Sequence, residues 1–158
     1  MDKSMKECVA IYREQLQQGY IQVAYERLVK YVMVLRTHIE KSTDYQVGNV
    51  SPGYMDFTYF PFFNEYLRAR KLRFGIVLNH EKMRFELWLM GQNAEVQAKY
   101  WNLLKATKWN SHLASMPKYS ALETVVVDNP DFSDLDALAQ FIQKAALEQI
   151  DPIMQFIQ

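Results

Sequence analysis

The stretch FGIVLNHEKMRFELWLMG, residues 74–91, constrains the fold more than any other part of the chain. Leu, Ile and Phe side chains occupy every second position on both sides of a polar run around Glu81 and Lys82. Successive side chains of a β-strand point to opposite faces, so the pattern predicts two strands joined by a tight turn, 72–79 and 84–91. This pairing places Leu78 opposite Phe85, Ile76 opposite Leu87 and Phe74 opposite Leu89.

The two faces of this hairpin differ in character. We call the face with the large aliphatic side chains the inner face, and a slip of one residue would move all of them to the wrong side. The other, which we call the outer face, should hold Gly75 opposite Trp88, where an aromatic side chain covers bare strand backbone. The same register places Val77 opposite Glu86 and Asn79 opposite Arg84.

Helical spacing of apolar residues surrounds the hairpin. Gly19 should break or bend the helical region at residues 5–42, and Pro61 should either end a strand at 54–60 or lie at the start of the short helix that follows. Ser133 is expected to cap the last helix, which Pro152 should kink or end. The remaining elements are a short helix at 62–71, a helix at 93–109 with Asn93 as its cap, and a strand within 121–132.

The predicted element order is α-α-β-(short α)-β-β-α-β-α. No internal repeat, low-complexity segment or long linker interrupts it. The economical fold is one α+β domain over residues 1–158, with a mostly antiparallel four-stranded sheet and helices packed mainly on one face. If the apolar residues of strand 54–60 point inward, Asp56 and Thr58 join the outer face.

The charge balance and the cysteine content disfavour several classes of protein. Lys plus Arg and Asp plus Glu number 18 each, whereas a dedicated nucleic-acid binder usually has a basic excess. Cys8 is the only cysteine, and its place on an apolar helix face predicts a buried, inert thiol. No signal peptide or membrane span is visible, so a soluble cytoplasmic protein is expected.

The outer face is the best candidate site. Cross-strand ion pairs on a solvated face would explain its charged residues, since such faces are common in antiparallel sheets. Its surplus of aromatic and Met side chains favours instead a surface that binds a ligand or a partner. The function expected is therefore a binding or interaction module around Glu86 and Trp88. The candidate ligand-binding residues are Asp56, Arg73, Arg84, Glu86 and Trp88.

An enzymatic alternative rests on topology alone. Helix, three strands, helix, strand is also the core order of restriction-endonuclease-like folds, so a divalent-metal-dependent hydrolase or nuclease could use Asp56 and Glu86 as ligands. Lysine is absent from the expected Glu-x-Lys position, where Trp88 follows Glu86 and Leu87. We therefore predict no metal site, and without a GxGxxG or GxxxxGK loop we predict no cofactor.

The three histidines and a cluster of basic residues raise two further hypotheses, a metal site and a nucleic-acid-binding site. His38, His80 and His112 lack metal-ligand spacing, and His80 is expected to be a solvated turn residue. Arg68, Arg70 and Lys71 lie beside aromatic residues and could bind nucleic acid, but the neutral net charge makes this the least favoured hypothesis. The partners expected are a second copy of the chain, another protein or a small molecule, and neither nucleic acid nor a membrane.

Five segments together resemble a family of small bacterial proteins known as a domain of unknown function. They are CVAIYREQLQQGYIQVAY, GYMDFTYF, FGIVLNHEKMRFELWLMGQN, VQAKYW and VVVDNPDFSDLDAL, and they span nearly the whole chain. The resemblance implies a bacterial, cytoplasmic, single-domain protein. It implies no activity and no catalytic residue.

Overall fold

The computed structural model describes residues 2–158, which form five α-helices and five β-strands. The chain divides into two compact units, Met1–Tyr31 and Val32–Gln158. The helices are α1 (Met5–Gln18), α2 (Tyr20–Ser42), α3 (Glu65–Ala69), α4 (Ala94–Leu104) and α5 (Leu135–Phe156). The strands are β1 (Gln46–Val47), β2 (Phe57–Phe63), β3 (Leu72–Asn79), β4 (Arg84–Gly91) and β5 (Leu122–Val127).

The five strands form one antiparallel sheet in chain order, β1-β2-β3-β4-β5. The α+β class is confirmed, but the prediction of four strands is wrong because it missed β1. β1 is only two residues long, which is too short for an alternating pattern of side chains to indicate a strand. β1 is held by a side chain from α2, because Arg36 donates from Nε to the Gly48 carbonyl at 2.7 Å and from Nη2 to the Val47 carbonyl at 3.2 Å.

The central hairpin of β3 and β4 has the bounds and the register that the sequence predicts. Phe74 pairs with Leu89 on the inner face, and Gly75 pairs with Trp88 on the outer face. The inner-face side chains of both strands are fully or almost fully buried. The alternation of side-chain size was therefore sufficient to specify this part of the fold.

β2 departs from the prediction in both its bounds and its parity. It continues through Pro61 to Phe63, and Thr58, Phe60 and Phe62 are its fully buried residues. Thr58 pairs with Leu78 and therefore lies on the inner face, so its predicted place on the outer face is wrong.

Pro61 is tolerated because its backbone faces away from β3. Its carbonyl accepts a hydrogen bond from Gly48 N at 2.8 Å, on the side of β2 where β1 lies. In an antiparallel strand the N–H and C=O of one residue point to the same side, so the missing N–H removes no bond between β2 and β3.

α1 ends where expected, since Gly19 has φ +83° and caps it. No residue of α1 is buried, and Met5, Val9 and Tyr12 are all more than half exposed. Cys8 is exposed as well, so the predicted buried thiol is wrong. An apolar stripe on a helix indicates which face would be buried, but it does not supply the surface that buries it.

α5 also differs from the prediction at both ends. Its N-cap is Asp134, whose side chain accepts from Ala137 N, and Ser133 instead hydrogen-bonds Asp131. The helix runs through Pro152 to Phe156. α5 lies on the inner face, where Gln149 accepts from the Thr124 hydroxyl at 2.9 Å and donates to a β5 carbonyl at 3.1 Å.

No helix within residues 2–158 has the length and the apolar content needed to cross a membrane.

Candidate ligand-binding cavity on the outer face

The outer face of the sheet holds a second hydrophobic cluster. Val77 is fully buried, and Trp88 and Met90 are 3% and 4% exposed. Phe57 and Tyr59 of β2 pack against these three side chains. The ring centroids of Phe57 and Trp88 are 4.9 Å apart in an edge-to-face arrangement, which is a favourable geometry for aromatic pairs. This part of the outer face is therefore not an open solvated surface.

A cavity of about 550 Å³ lies above this cluster, and we call it the sheet cavity. Its volume is within the range of about 300–1,000 Å³ that is usual for small-molecule sites. Trp88, Met90, Phe57 and Tyr59 form its floor. Its walls come from the loop before β2, from the first turns of α4, and from residues 116–119.

The loop before β2 depends on one glycine. Gly53 has φ +72°, and a Cβ there would clash with the Phe57 carbonyl oxygen. The loop therefore approaches β2 more closely than a larger residue would allow. This approach places Ser51, Gly53 and Asp56 in the cavity wall.

Glu86 is a buried carboxylate with a hydrogen-bond donor at each oxygen. Its exposure is 3%. Trp88 donates from Nε1 to Oε1 at 2.8 Å. Arg84 and Asn79 donate to Oε2 at 2.7 and 3.1 Å. The carboxylate thus holds the indole ring of the cavity floor in place, and it forms an ion pair with the one charged donor.

The predicted site residues have three different settings. Asp56, Arg73 and Trp88 line the sheet cavity. Glu86 supports the cavity from within the sheet, and Arg84 is its ion-pair partner. Met90 lies in the floor, and Asn79 is bonded to Glu86.

Asp56 is an exposed residue whose carboxylate is bonded to its own loop. Its Oδ1 accepts from Phe57 N at 2.7 Å and from Tyr54 N at 2.8 Å. These two hydrogen bonds, the one from Phe57 foremost, hold the pKa of Asp56 below its ordinary value. The side chain thereby shapes the loop and places one negative charge at the cavity.

His80 is half-buried rather than solvated, contrary to the expectation from the sequence. The Thr58 hydroxyl donates to the Pro52 carbonyl at 2.7 Å, and the same oxygen lies 2.8 Å from His80 Nε2. Since a hydroxyl has one hydrogen, Nε2 of His80 is the donor in this contact. Burial lowers the pKa of His80, and the charge of Asp56 opposes that shift in part.

Sequence reasoning missed Glu123, which pairs with Trp88 across β4 and β5 and so lies on the outer face. Asn110 accepts from Glu123 N at 3.1 Å, and the Ser120 hydroxyl donates to Glu123 Oε1 at 2.8 Å. Burial raises the pKa of Glu123, the Ser120 bond opposes this, and the charge of Glu86 raises it further. The parity argument used for the hairpin would have found Glu123 had it been extended to β5.

Sequence reasoning also missed the segment 116–119, which carries no strand or helix signal. Lys118 and Tyr119 line the sheet cavity from this segment. Gln97 of α4 holds the segment, because its Nε2 lies 3.3 Å from the Pro117 carbonyl and 3.2 Å from that of Lys118.

The basic cluster lies beside the sheet cavity. Arg68 and Lys71 line a smaller cavity of about 380 Å³ that shares Arg73 with the sheet cavity. Arg70 folds back on its own helix, with its guanidinium 3.5 Å from the Tyr66 ring centre and a hydrogen bond to the Tyr66 carbonyl. Among residues 2–158, no group of three His, Cys, Asp or Glu side chains could hold a metal ion.

An antiparallel sheet in chain order with a cavity on one face defines a single-sheet α+β protein. Residues 5–157 match the family described as a domain of unknown function (DUF7000), and the chain belongs to that family. Comparison with curated proteins finds no significant match, and comparison with solved structures finds none either. The bacterial origin and the cytoplasmic location expected from the sequence stay predictions.

Proposed function

We propose that the protein is a binding module that takes a small organic ligand into the sheet cavity. The observation that carries this proposal is the cavity floor, where Trp88 and Met90 are buried in the sheet yet border a space of about 550 Å³. An apolar, concave surface with a few polar groups at its rim is the usual form of a small-molecule site.

The arrangement of the carboxylates favours binding over metal-dependent hydrolysis. Both oxygens of Glu86 already accept hydrogen bonds, and one of these bonds holds the Trp88 ring. A metal ion at Glu86 would have to displace Arg84 or Trp88 from its carboxylate. Asp56 lines the sheet cavity, whereas Glu86 is not among the lining residues.

The test is binding of aromatic fragments, observed by NMR at isotope-labelled methionine methyl groups. Met90 and Met116 line the sheet cavity and Met33 does not, so Met33 is an internal reference. In a panel of indole, naphthalenemethanol and naphthoate, we expect at least one compound to shift the Met90 and Met116 signals and leave the Met33 signal in place.

A cavity-filling variant supplies the control. Ala94→Trp places a bulky side chain in the wall, at an exposed position in the first turn of α4, and should abolish the shifts. Ala137→Trp, at an exposed position in the first turn of α5, should leave them unchanged. The proposal is wrong if no compound shifts Met90, or if Ala94→Trp leaves the response intact.

A further inference from the structure

We infer that the ligand of the sheet cavity is an organic anion, with a flat apolar body on Trp88 and Met90 and a carboxylate or phosphate group bound by Arg73 and Lys118. This inference rests on the proposed function and names the class of ligand that the cavity takes.

Arg73 is positively charged, and its side chain has no bonding partner within the described part of the protein. It lies on β3 opposite Met90, its side chain is exposed, and it lines the sheet cavity. Within residues 2–158 its guanidinium has neither an ion pair nor a hydrogen bond. The contrast with Arg84 is direct, because Arg84 lies on the same face and is bonded to Glu86 at 2.7 Å. The cavity thus has five N–H donors at its edge that the fold does not use.

Lys118 adds a second positive charge from the wall formed by residues 116–119. Its ammonium lies 5.2 Å from the centre of the adjacent Tyr119 ring, and no carboxylate pairs with it in the described part of the chain. Arg73 and Lys118 come from different elements, so an anion between them would be contacted from two sides.

Among the described residues that line the sheet cavity, only Asp56 has an acidic side chain, and it lies toward the end away from Arg73. Asp56 precedes Phe57, which pairs with Asn79 beside the hairpin turn, whereas Arg73 lies six residues before Asn79, near the start of β3. At about 3.3 Å per residue, these positions are about 20 Å apart along the sheet. The cavity is therefore positive at the Arg73 end, with Met90 and Trp88 between the two ends.

The floor of the sheet cavity favours a ligand whose apolar part is flat. Trp88 and Met90 are held in the sheet, the former through its bond to Glu86, so a ligand would meet a preformed apolar surface. Planar guanidinium groups bind carboxylates and phosphates through paired hydrogen bonds, and both groups fit Arg73. Both kinds of ligand are anions, and each combines a flat apolar part with a carboxylate or a phosphate group.

The experiment compares three probes that share one naphthalene ring: naphthoate, naphthyl phosphate and the neutral naphthalenemethanol. Dissociation constants are measured by calorimetry for the full chain at low and at high salt. We expect at least one anion to bind about tenfold more tightly than the alcohol, since a charge-assisted hydrogen bond is stronger than a neutral one. This advantage should shrink at high salt.

Arg73→Gln should remove most of the advantage of the anion over the alcohol, and Lys118→Gln should remove part of it. Arg68→Gln is the matched control, because Arg68 is an exposed arginine outside the sheet cavity. Tighter binding of naphthyl phosphate would assign the site to phosphates, and tighter binding of naphthoate would assign it to carboxylates.

Two outcomes would overturn the inference, and they are distinguishable. If all three probes bind equally and Ala94→Trp blocks them, the proposed function stands and the anionic class is wrong. If none of the probes binds, the proposed function fails and the inference fails with it.

Discussion

Glu86 shows how one side chain can link a charge to an aromatic surface. Its position two residues from both Arg84 and Trp88 places all three on one face of β4. The hydrogen bonds then make the carboxylate a common partner, with Arg84 at one oxygen and Trp88 at the other. Glu86, which the sequence predicts to be one of the ligand-binding residues, thus acts as a support for the cavity floor.

Removing the charge of Glu86 should destabilise the fold. In Glu86→Gln the amide NH₂ would face donors at one of the two oxygen positions, so a buried donor would lose its partner. Breaking a buried, hydrogen-bonded ion pair costs about 3 kcal/mol, and we expect a loss of this size in urea unfolding. Glu81→Gln, at the exposed turn, should change the free energy of unfolding by less than about 0.5 kcal/mol.

His80 should make stability depend on pH near neutrality. Burial lowers its pKa in the folded protein below the ordinary value of 6.5. The unfolded chain therefore takes up the proton first as pH falls, and the free energy of unfolding decreases from about pH 6.5 down to the folded pKa. Above pH 6.5, where the imidazole of His80 is neutral in the folded and the unfolded chain alike, this loss of stability does not occur.

Urea unfolding of wild type and His80→Gln between pH 8 and pH 5 measures this contribution. We expect the difference in unfolding free energy between the two proteins to change below about pH 6.5, with wild type losing more stability than the variant. Parallel pH profiles for the two proteins would show that burial of His80 has no such effect.

At the scale of elements, periodic segments were predictable and short or irregular ones were not. β3 and β4 could be placed to the residue because each alternates over eight residues and a slip would expose the inner face. β1 is two residues long, and its position depends on Arg36 of α2, which no local pattern reveals.

The ends predicted too early for β2 and α5 have one cause, the meaning given to proline. Pro61 was expected to end a strand, but its backbone faces the short strand β1 and needs no donor toward β3. Pro152 was expected to kink or end a helix, and it does not end α5, which continues to Phe156 with Ile150 and Ile153 buried. In both places packing outweighs the local preference.

The candidate site was predictable only in part for a related reason. Parity placed Arg73, Arg84, Glu86 and Trp88 on one face of the hairpin, and the structure has them there. The walls of the sheet cavity come from loops and from the start of α4, whose approach to the sheet is a tertiary property. Parity also could not show which charged side chains are paired, and this separates Arg73 from Arg84.

At the scale of the whole molecule, buried apolar residues are unevenly distributed. α1 buries none of its residues, whereas Leu35 in the second half of α2 is 2% exposed. Val9→Ala and Tyr12→Ala should each change the free energy of unfolding by less than about 0.5 kcal/mol at low protein concentration. Leu35→Ala should lower it by about 2–5 kcal/mol, because it leaves a cavity in the core.

Urea unfolding at two protein concentrations measures both effects. A loss above about 2 kcal/mol for Val9→Ala would contradict the expectation, since that side chain would then be buried in solution. If that loss appeared only at the higher concentration, it would support the second copy of the chain expected from the sequence, because association with the folded state raises apparent stability.

The strand order also has a kinetic consequence. Each strand pairs with the next one in the chain, so no pairing requires a crossover. The β3–β4 hairpin closes through only four residues, whereas β5 joins β4 after a connection that contains α4. Because short loops close at a lower entropic cost, the hairpin can form before β5 arrives. Folding would then assemble the inner face of the hairpin first, and the wall carrying Lys118 would complete the sheet cavity last.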